Sequence, residues 1–121
     1  MRYMFLVMSP ERAGPPPQRL MEEVGKLAQR EMAAGALVDQ GGLMPLAMGA
    51  RVRVSDGKLT VMDGPFAETK EVIGGYAIFE LPNREEALER AKAFMELHRL
   101  YGDGWEGVCE MRQLAPMGPP G

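Results

Sequence analysis

Short apolar runs in this chain alternate with longer stretches that are apolar on one side only. Residues 3–8 form an apolar run closed by Ser9-Pro10, which predicts a buried strand. From about Pro16 to Gly35, apolar residues recur at helical spacing: Leu20, Val24, Leu27, Ala28 and Met32. Gly35 is placed to end this helix in a left-handed cap. Residues 36–43 predict a second strand, in which Gly41-Gly42 indicates a bulge or a close backbone approach.

The middle of the chain predicts a β-hairpin. Residues 50–55 and 58–62 flank Asp56-Gly57, a strong signal for a two-residue turn. A two-residue loop pairs Val52 with Val61 and Val54 with Leu59, and paired residues share a face. One hairpin face is therefore predicted to be apolar, and the opposite face carries Arg51, Arg53, Thr60 and Met62.

The second half of the chain predicts one more helix between two strands. Residues 75–81 are rich in strand formers, and Asn83 followed by Glu86 is typical of a helix capping box. The apolar stripe of this helix is Ala87, Leu88, Ala91, Phe94 and Met95. Gly102-Asp103-Gly104 ends the helix, residues 105–114 predict the last strand, and residues 115–121 form a Pro/Gly tail that we expect to be mobile.

This order of elements predicts an α+β fold with a single domain over residues 1–114. Two helices with one apolar side each, beside a largely antiparallel sheet, indicate a ferredoxin-like subunit with both helices on one sheet face. The other sheet face then needs solvent, a ligand or a partner chain. We expect a homodimer that joins two sheets through this face.

Composition narrows the class of protein. The formal net charge of −3 and the lack of any Lys/Arg run argue against nucleic acid as a partner. Cys109 is the only cysteine, so no intramolecular disulfide can form, which predicts a cytoplasmic protein; Cys109 itself is expected to be a small core residue. The apolar N-terminus is too short for a signal or a membrane span, so no membrane contact is expected. His98 is the only histidine, so no usual zinc site can form, and neither a metal nor a cofactor is expected. We predict a capping or surface role for His98, near a helix end.

The richest chemistry lies in the stretch from Asp63 to Glu71, which follows the hairpin. Asp63 is the candidate acid/base, because the Gly64-Pro65 turn would hold its carboxylate and Phe66 could shield it from water. The alternative is that Asp63 hydrogen-bonds its own backbone in an Asx-turn. Three further charged residues are interpreted as a solvated, salt-bridged loop: Glu68, Lys70 and Glu71.

Arginines and a glutamate supply a candidate anion site. If Cys109 and Met111 face the helices, strand alternation places Glu110 and Arg112 on the same side as Arg53. Guanidinium groups bind carboxylate or phosphate in a bidentate manner. The alternative interpretation is an Arg–Glu network that stabilises a dimer interface.

The stretch Asp63-Gly64-Pro65-Phe66-Ala67-Glu68-Thr69-Lys70-Glu71, followed by Gly74-Gly75-Tyr76, resembles the signature of DGPF-domain proteins, a branch of the YCII-related family. The opening Arg2-Tyr3-Met4, the hairpin and the closing Glu110-Met111-Arg112 extend the resemblance over nearly the whole chain. It implies a dimeric α/β barrel of ferredoxin-like subunits. Genes of such proteins often lie beside those of extracytoplasmic-function sigma factors.

The resemblance also implies an acid/base role for the motif aspartate, which is Asp63 here. A histidine used in some branches has no match, and Gln113 stands where the family usually has proline. One branch of the family removes halide from a lactone.

Two main functional hypotheses follow. The first is a small cofactor-independent enzyme that uses Asp63 as acid/base on an anionic small molecule. Its substrate-binding residues would be Arg53, Arg112, Glu110, Gly74 and Gly75, the glycines allowing close approach. The second is a non-catalytic ligand-binding or regulatory homodimer, with a sigma factor as a possible partner. A third interpretation is that the motif only shapes the dimer.

Overall fold

A computed structural model of the chain describes residues 1–11, 14–64 and 71–116. Each predicted helix and strand is present, with ends displaced by a few residues. The elements are β1 (Arg2–Ser9), α1 (Gln18–Ala33), β2 (Leu37–Gly42), a short 3-10 turn (Leu46–Met48), β3 (Ala50–Ser55), β4 (Lys58–Asp63), β5 (Val72–Glu80), α2 (Arg84–Tyr101) and β6 (Val108–Gln113).

Four strands form an antiparallel sheet in the order β2-β5-β1-β6. Its core side carries Tyr3 and Phe5 of β1 and Phe79 of β5, which are buried together with Ala87 and Ala91 of α2. The rings of Phe5 and Phe79 stack with centroids 4.8 Å apart. The α+β fold with two helices and an antiparallel sheet is thus confirmed and is consistent with a ferredoxin-like subunit.

Local signals set the helix ends as predicted. Pro17 precedes α1, where its missing N–H costs no hydrogen bond. Gly35 has φ +77° and follows the end of α1, as a left-handed cap requires. The Asn83 side chain accepts a hydrogen bond of 2.9 Å from the backbone N–H of Glu86, which caps α2. Both boundaries of α1 and the N-terminal boundary of α2 therefore follow from neighbouring residues.

The hairpin register is confirmed, but its place in the fold differs from the prediction. Asp56 and Gly57 have φ of 52° and 74°, as a type I′ turn requires. However, β3 and β4 pair only with each other, as a separate two-stranded sheet. The expectation that Arg53 shares a sheet face with Glu110 and Arg112 is therefore wrong, because the hairpin does not join the sheet that contains β6.

One residue of the predicted α1 stripe also lies elsewhere. Met32 is 57% exposed. Glu31, one position earlier in the last turn of α1, faces α2 and pairs with Arg90. Because successive helical positions point in different directions, Met32 is turned away from the core.

In the three described segments, neither helix is both long and apolar enough to span a bilayer. The tail prediction concerns mainly residues 117–121, which lie outside the described residues.

Candidate functional site

A cavity of about 420 Å³ lies between the core side of the sheet and the two helices. The sheet contributes Phe5, Val7, Ala77 and Phe79 to its wall, and the helices contribute Val24, Leu27, Ala28 and Phe94. The sequence assigned most of these apolar residues to a filled core. The structure instead leaves a space between them, of a size typical for sites that bind small molecules.

Glycines form one end of this cavity, where β2 pairs with β5. Gly42 lies opposite Gly75 in the register, and both line the cavity together with Gly41. A Cβ on Gly75 would lie 3.1 Å from the carbonyl oxygen of Gly41, so a larger residue would crowd this wall. Of the two glycines predicted to allow close approach, Gly75 lines the cavity, whereas Gly74 is exposed outside it.

The cavity wall is mostly apolar, but it also includes Gln40, Tyr76 and an ion pair. Arg90 Nε of α2 donates to Glu31 Oε2 of α1 at 3.2 Å, and the two side chains are 33% and 16% exposed. Among the described residues, the two terminal nitrogens of the Arg90 guanidinium have no further hydrogen-bond partner. The cavity therefore contains a cation with unused donors beside an anion.

Sequence reasoning missed both members of this pair. Glu31 follows Leu27 by four positions and Ala28 by three, and Arg90 follows Ala87 by three, so each lies within an apolar stripe. A charged residue at core spacing on both helices was the available signal. The pattern along one helix does not show that the two helices pack together, so the pairing of Glu31 with Arg90 could not be predicted from it.

His98 connects the cavity wall to the turn after α2. Its ring lies 4.6 Å from the Phe94 ring and 4.7 Å from the Trp105 ring, measured between centroids. Its Nδ1–H donates to the Phe94 carbonyl at 3.0 Å. His98 is only 9% exposed, so the predicted surface role is wrong. The residue is covered because Trp105 folds back over the end of α2.

Burial changes the titration of two side chains near the core. Desolvation lowers the pKa of His98, against a smaller opposing effect of the hydrogen bond to Phe94. Desolvation raises the pKa of the Cys109 thiol to about 11. Cys109 is half-buried and packs against the core as predicted, which leaves it a weak nucleophile at neutral pH.

Asp63 lies at the end of β4 and is exposed. It shares a hairpin face with Ala50 and Val61, whereas Arg53 is on the opposite face. Asp63 does not line the cavity. Pro65 to Lys70 lie outside the described residues, and with them the predicted Phe66 shield and the predicted Glu68 and Lys70 loop.

The backbone after Asp63 is held against the 3-10 turn. The Gly64 N–H donates to the Gly49 carbonyl at 2.9 Å. A Cβ on Gly64 would lie 1.7 Å from the carbonyl oxygen of Leu46. No residue with a side chain fits at this position. The glycine of the motif is thus required by a close backbone contact at the base of the hairpin.

Glu110 and Arg112 lie on the sheet face that neither helix covers, which we call the open sheet face. They are exposed and pair with Leu6 and Met4, respectively. Tyr76 and Ile78 of β5 pair with the same two β1 residues and lie on this face too. Cys109 and Met111 pack on the helix side, as predicted. The open sheet face is thus an apolar centre with a charged edge.

Within the part of the chain that the structure describes, no three carboxylate, histidine or cysteine side chains are grouped so that they could hold a metal ion.

Comparisons with known proteins match most of the chain. The family model of the YCII-related domain matches residues 1–99. An uncharacterised protein of Rhizobium meliloti (strain 1021), R00369, is 36% identical over 75 residues. That match covers 62% of this chain and 60% of the relative, so it extends over less than two thirds of either protein.

Proposed function

This chain belongs to the YCII-related domain family, and we propose that it binds a small, mostly apolar molecule in the cavity between its sheet and its helices. The observation that carries the proposal is the cavity of about 420 Å³, with mostly apolar walls that include the Glu31–Arg90 ion pair. Pockets of this kind combine apolar contact area with a few polar groups that orient the ligand.

The ion pair supports a ligand with one anionic group. The terminal nitrogens of Arg90 can receive a carboxylate in a bidentate manner while Nε keeps its contact with Glu31. The anionic small molecule expected from the sequence is therefore retained as a proposal. Arg90 takes the anchoring role in it, in place of Arg53 and Arg112, which lie in different sheets.

Three predictions about function remain open beside this proposal. Asp63 as acid/base on a bound anion remains a prediction, as does an anion site that uses Arg53, Glu110, Arg112 and Gly74. The alternative of a non-catalytic regulatory protein, with a sigma factor as partner, also remains. Binding without turnover would favour this alternative.

We also propose a homodimer. The open sheet face supports it, because apolar side chains such as Met4 and Ile78 lie at its centre and neither helix packs on them. A second copy would cover this face.

The binding proposal is tested by filling the cavity. Ala28→Leu puts a larger side chain into the space, whereas Ala33→Leu makes the same change at an exposed position of α1. We expect octanoate or phenylacetate to bind the wild type and to bind Ala28→Leu at least about tenfold more weakly, a loss of about 1.4 kcal/mol. Ala33→Leu should bind like the wild type. Isothermal titration measures the affinities.

Arg90→Met tests the contribution of the charge, because it removes the guanidinium group and keeps an apolar side chain of similar length. We expect this variant to lose its preference for octanoate over octanol, whereas Arg84→Met, at the exposed start of α2, should keep it. Equal binding by wild type and Ala28→Leu, or no binding of either acid by the wild type, contradicts the proposed function.

A further inference from the structure

The cavity is elongated along helix α1 and strand β5. On α1 its lining residues run from Val24 to Glu31, a separation of seven positions, which spans about 10 Å of a helix. On β5 its lining residues run from Gly75 to Phe79, a separation of four positions, which spans about 13 Å of a strand. Two elements on opposite walls therefore give the cavity a similar length.

The charged groups lie at one end of this length. The Glu31 carbonyl oxygen accepts a 2.9 Å hydrogen bond from the N–H of Ala36, just before β2. The first residue of β2, Leu37, pairs with Phe79, so Glu31 lies at the Phe79 end of the cavity. Arg90 lies there too, because its Nε donates to the Glu31 carboxylate at 3.2 Å. A ligand carboxylate that binds Arg90 would therefore be held at this end.

The opposite end is formed by two residues without side chains, Gly42 and Gly75, which we call the glycine pair. They are direct partners between β2 and β5, and both line the cavity. Neither has a positive φ. A Cβ on Gly42 would lie 3.9 Å from the Gly74 carbonyl oxygen, an ordinary van der Waals contact. Neither backbone conformation nor crowding thus requires glycine at position 42, and the missing side chain leaves this end of the cavity unobstructed.

Apolar side chains line the space between the two ends. Leu27 of α1 and Phe94 of α2 contribute from the helices, and Val7 and Ala77 contribute from the sheet. Gln40 adds a polar group to this wall from the exposed edge strand β2. A long, mostly apolar wall with its charges at one end fits an amphiphile whose polar group is terminal.

We infer that the ligand is a medium-chain monocarboxylate, with its carboxylate on Arg90 and its alkyl chain extended along β5 to the glycine pair. The inference rests on the binding function proposed above and adds the class of ligand and the residue that selects its length. Each methylene that the cavity removes from water strengthens binding about fourfold. A chain that reaches the glycine pair buries more methylenes than a shorter chain does, so affinity rises with chain length.

Isothermal titration with hexanoate and decanoate tests the selection of length. We expect the wild type to bind decanoate at least about tenfold more tightly than hexanoate. Gly42→Val places a side chain where only the longer acid reaches. It should weaken decanoate binding at least about tenfold and leave hexanoate binding within about twofold of the wild type.

Gly25→Val is the matched control. Gly25 is exposed on α1 and does not line the cavity, and among the described residues a Cβ there would meet no other part of the structure within 4 Å. This variant should bind both acids like the wild type. Far-UV circular dichroism should show the same secondary structure for both variants and the wild type.

The outcomes separate this inference from the proposed function. Equal affinity of the wild type for hexanoate and decanoate overturns the extended chain and leaves the binding function. Weakening of both acids by the same factor in Gly42→Val overturns the selection of length at the glycine pair. Binding of neither acid by the wild type contradicts the proposed function itself.

A second test locates the chain without any substitution. In isotope-labelled wild-type protein, saturating decanoate should shift the amide resonances of Gly42 and Gly75 in the nuclear magnetic resonance spectrum. Saturating hexanoate should shift the amide resonance of Arg90 and leave those of the glycine pair in place. Equal shifts of the glycine pair with the two acids, or no shift with decanoate, overturn the path of the chain.

Discussion

At the scale of single residues, the burial of His98 makes the folding stability of this protein depend on pH. The imidazole is enclosed between Phe94 and Trp105 and donates its Nδ1 proton to a backbone carbonyl. Since desolvation lowers its pKa in the folded state, the neutral form is favoured there. The unfolded chain binds the proton more readily, so folding stability depends on pH in this range.

We predict that the free energy of unfolding falls as pH is lowered from about 7 to 5.5. The contribution of His98 is fully present above its unfolded pKa of about 6.5 and is lost as pH falls through the lower folded pKa. His98→Phe should remove this part of the slope, and because the chain has no other histidine the assignment is unambiguous. Urea unfolding at a series of pH values measures it; an unchanged slope in His98→Phe would refute the prediction.

Asp63 remains the residue on which the catalytic hypothesis depends. It is exposed at the end of β4, so Asp63→Asn should leave the fold intact. If Asp63 is an acid/base, this variant should lose any turnover of an anionic substrate that the wild type shows, while binding is retained. Asp56→Asn, at the tip of the same hairpin, is the control and should keep turnover. Full activity in Asp63→Asn would remove the catalytic role.

At the scale of elements, the hairpin has a turn that depends only on its own residues and a base that hydrogen-bonds to another part of the chain. Its turn needs only Asp56 and Gly57, both with positive φ. Its base needs Gly64, whose N–H bonds Gly49 and whose missing side chain allows the approach of Leu46. A glycine is therefore required at position 64 for structural reasons, whatever chemistry Asp63 performs.

Replacing Gly64 should loosen the base of the hairpin. Gly64→Ala forces the backbone away from the Leu46 carbonyl and breaks the hydrogen bond to Gly49. We expect the amide at position 64 to exchange at least about tenfold faster with deuterium, which corresponds to about 1.4 kcal/mol of opening free energy. Gly49→Ala is the control, since its Cβ would lie 3.5 Å from the Leu46 carbonyl oxygen, which is an ordinary van der Waals contact. Equal exchange in both variants would contradict the anchoring role.

The two helices differ in what they contribute. Helix α2 brings Ala87 and Ala91 close to the sheet, and these small residues are buried. Helix α1 has only Leu20 fully buried, and its middle turns line the cavity instead. The Glu31–Arg90 ion pair between them joins residues 59 positions apart in the chain. The apolar pattern of each helix alone therefore does not show that a cavity lies between the helices and the sheet.

At the scale of the whole molecule, the two sides of the sheet have different tasks in our proposals. The helix side holds the cavity and the ion pair, and a second copy would cover the open sheet face. Ligand binding and dimerisation can therefore be measured separately, since the cavity and the open sheet face lie on opposite sides of the sheet.

The helices and strands, the caps, the hairpin register and the α+β class could all be predicted from the sequence. Each of these depends on residues close together in the chain, such as Asn83 with Glu86 or Asp56 with Gly57, whose conformational preferences act locally. The division of β6 into one side with Cys109 and Met111 and another with Glu110 and Arg112 could also be predicted, because alternation along a strand needs no knowledge of other elements.

Whether the hairpin joins the main sheet and whether the core is filled depend on tertiary contacts and could not be predicted. The strands of a hairpin pair with each other whether or not the hairpin joins a larger sheet. The sequence pattern therefore could not assign Arg53 to a face of the main sheet. The cavity depends on the distance between helices and sheet, and the Glu31–Arg90 pair depends on two helices meeting. These features arise from contacts between residues distant in the chain, which local periodicity does not encode.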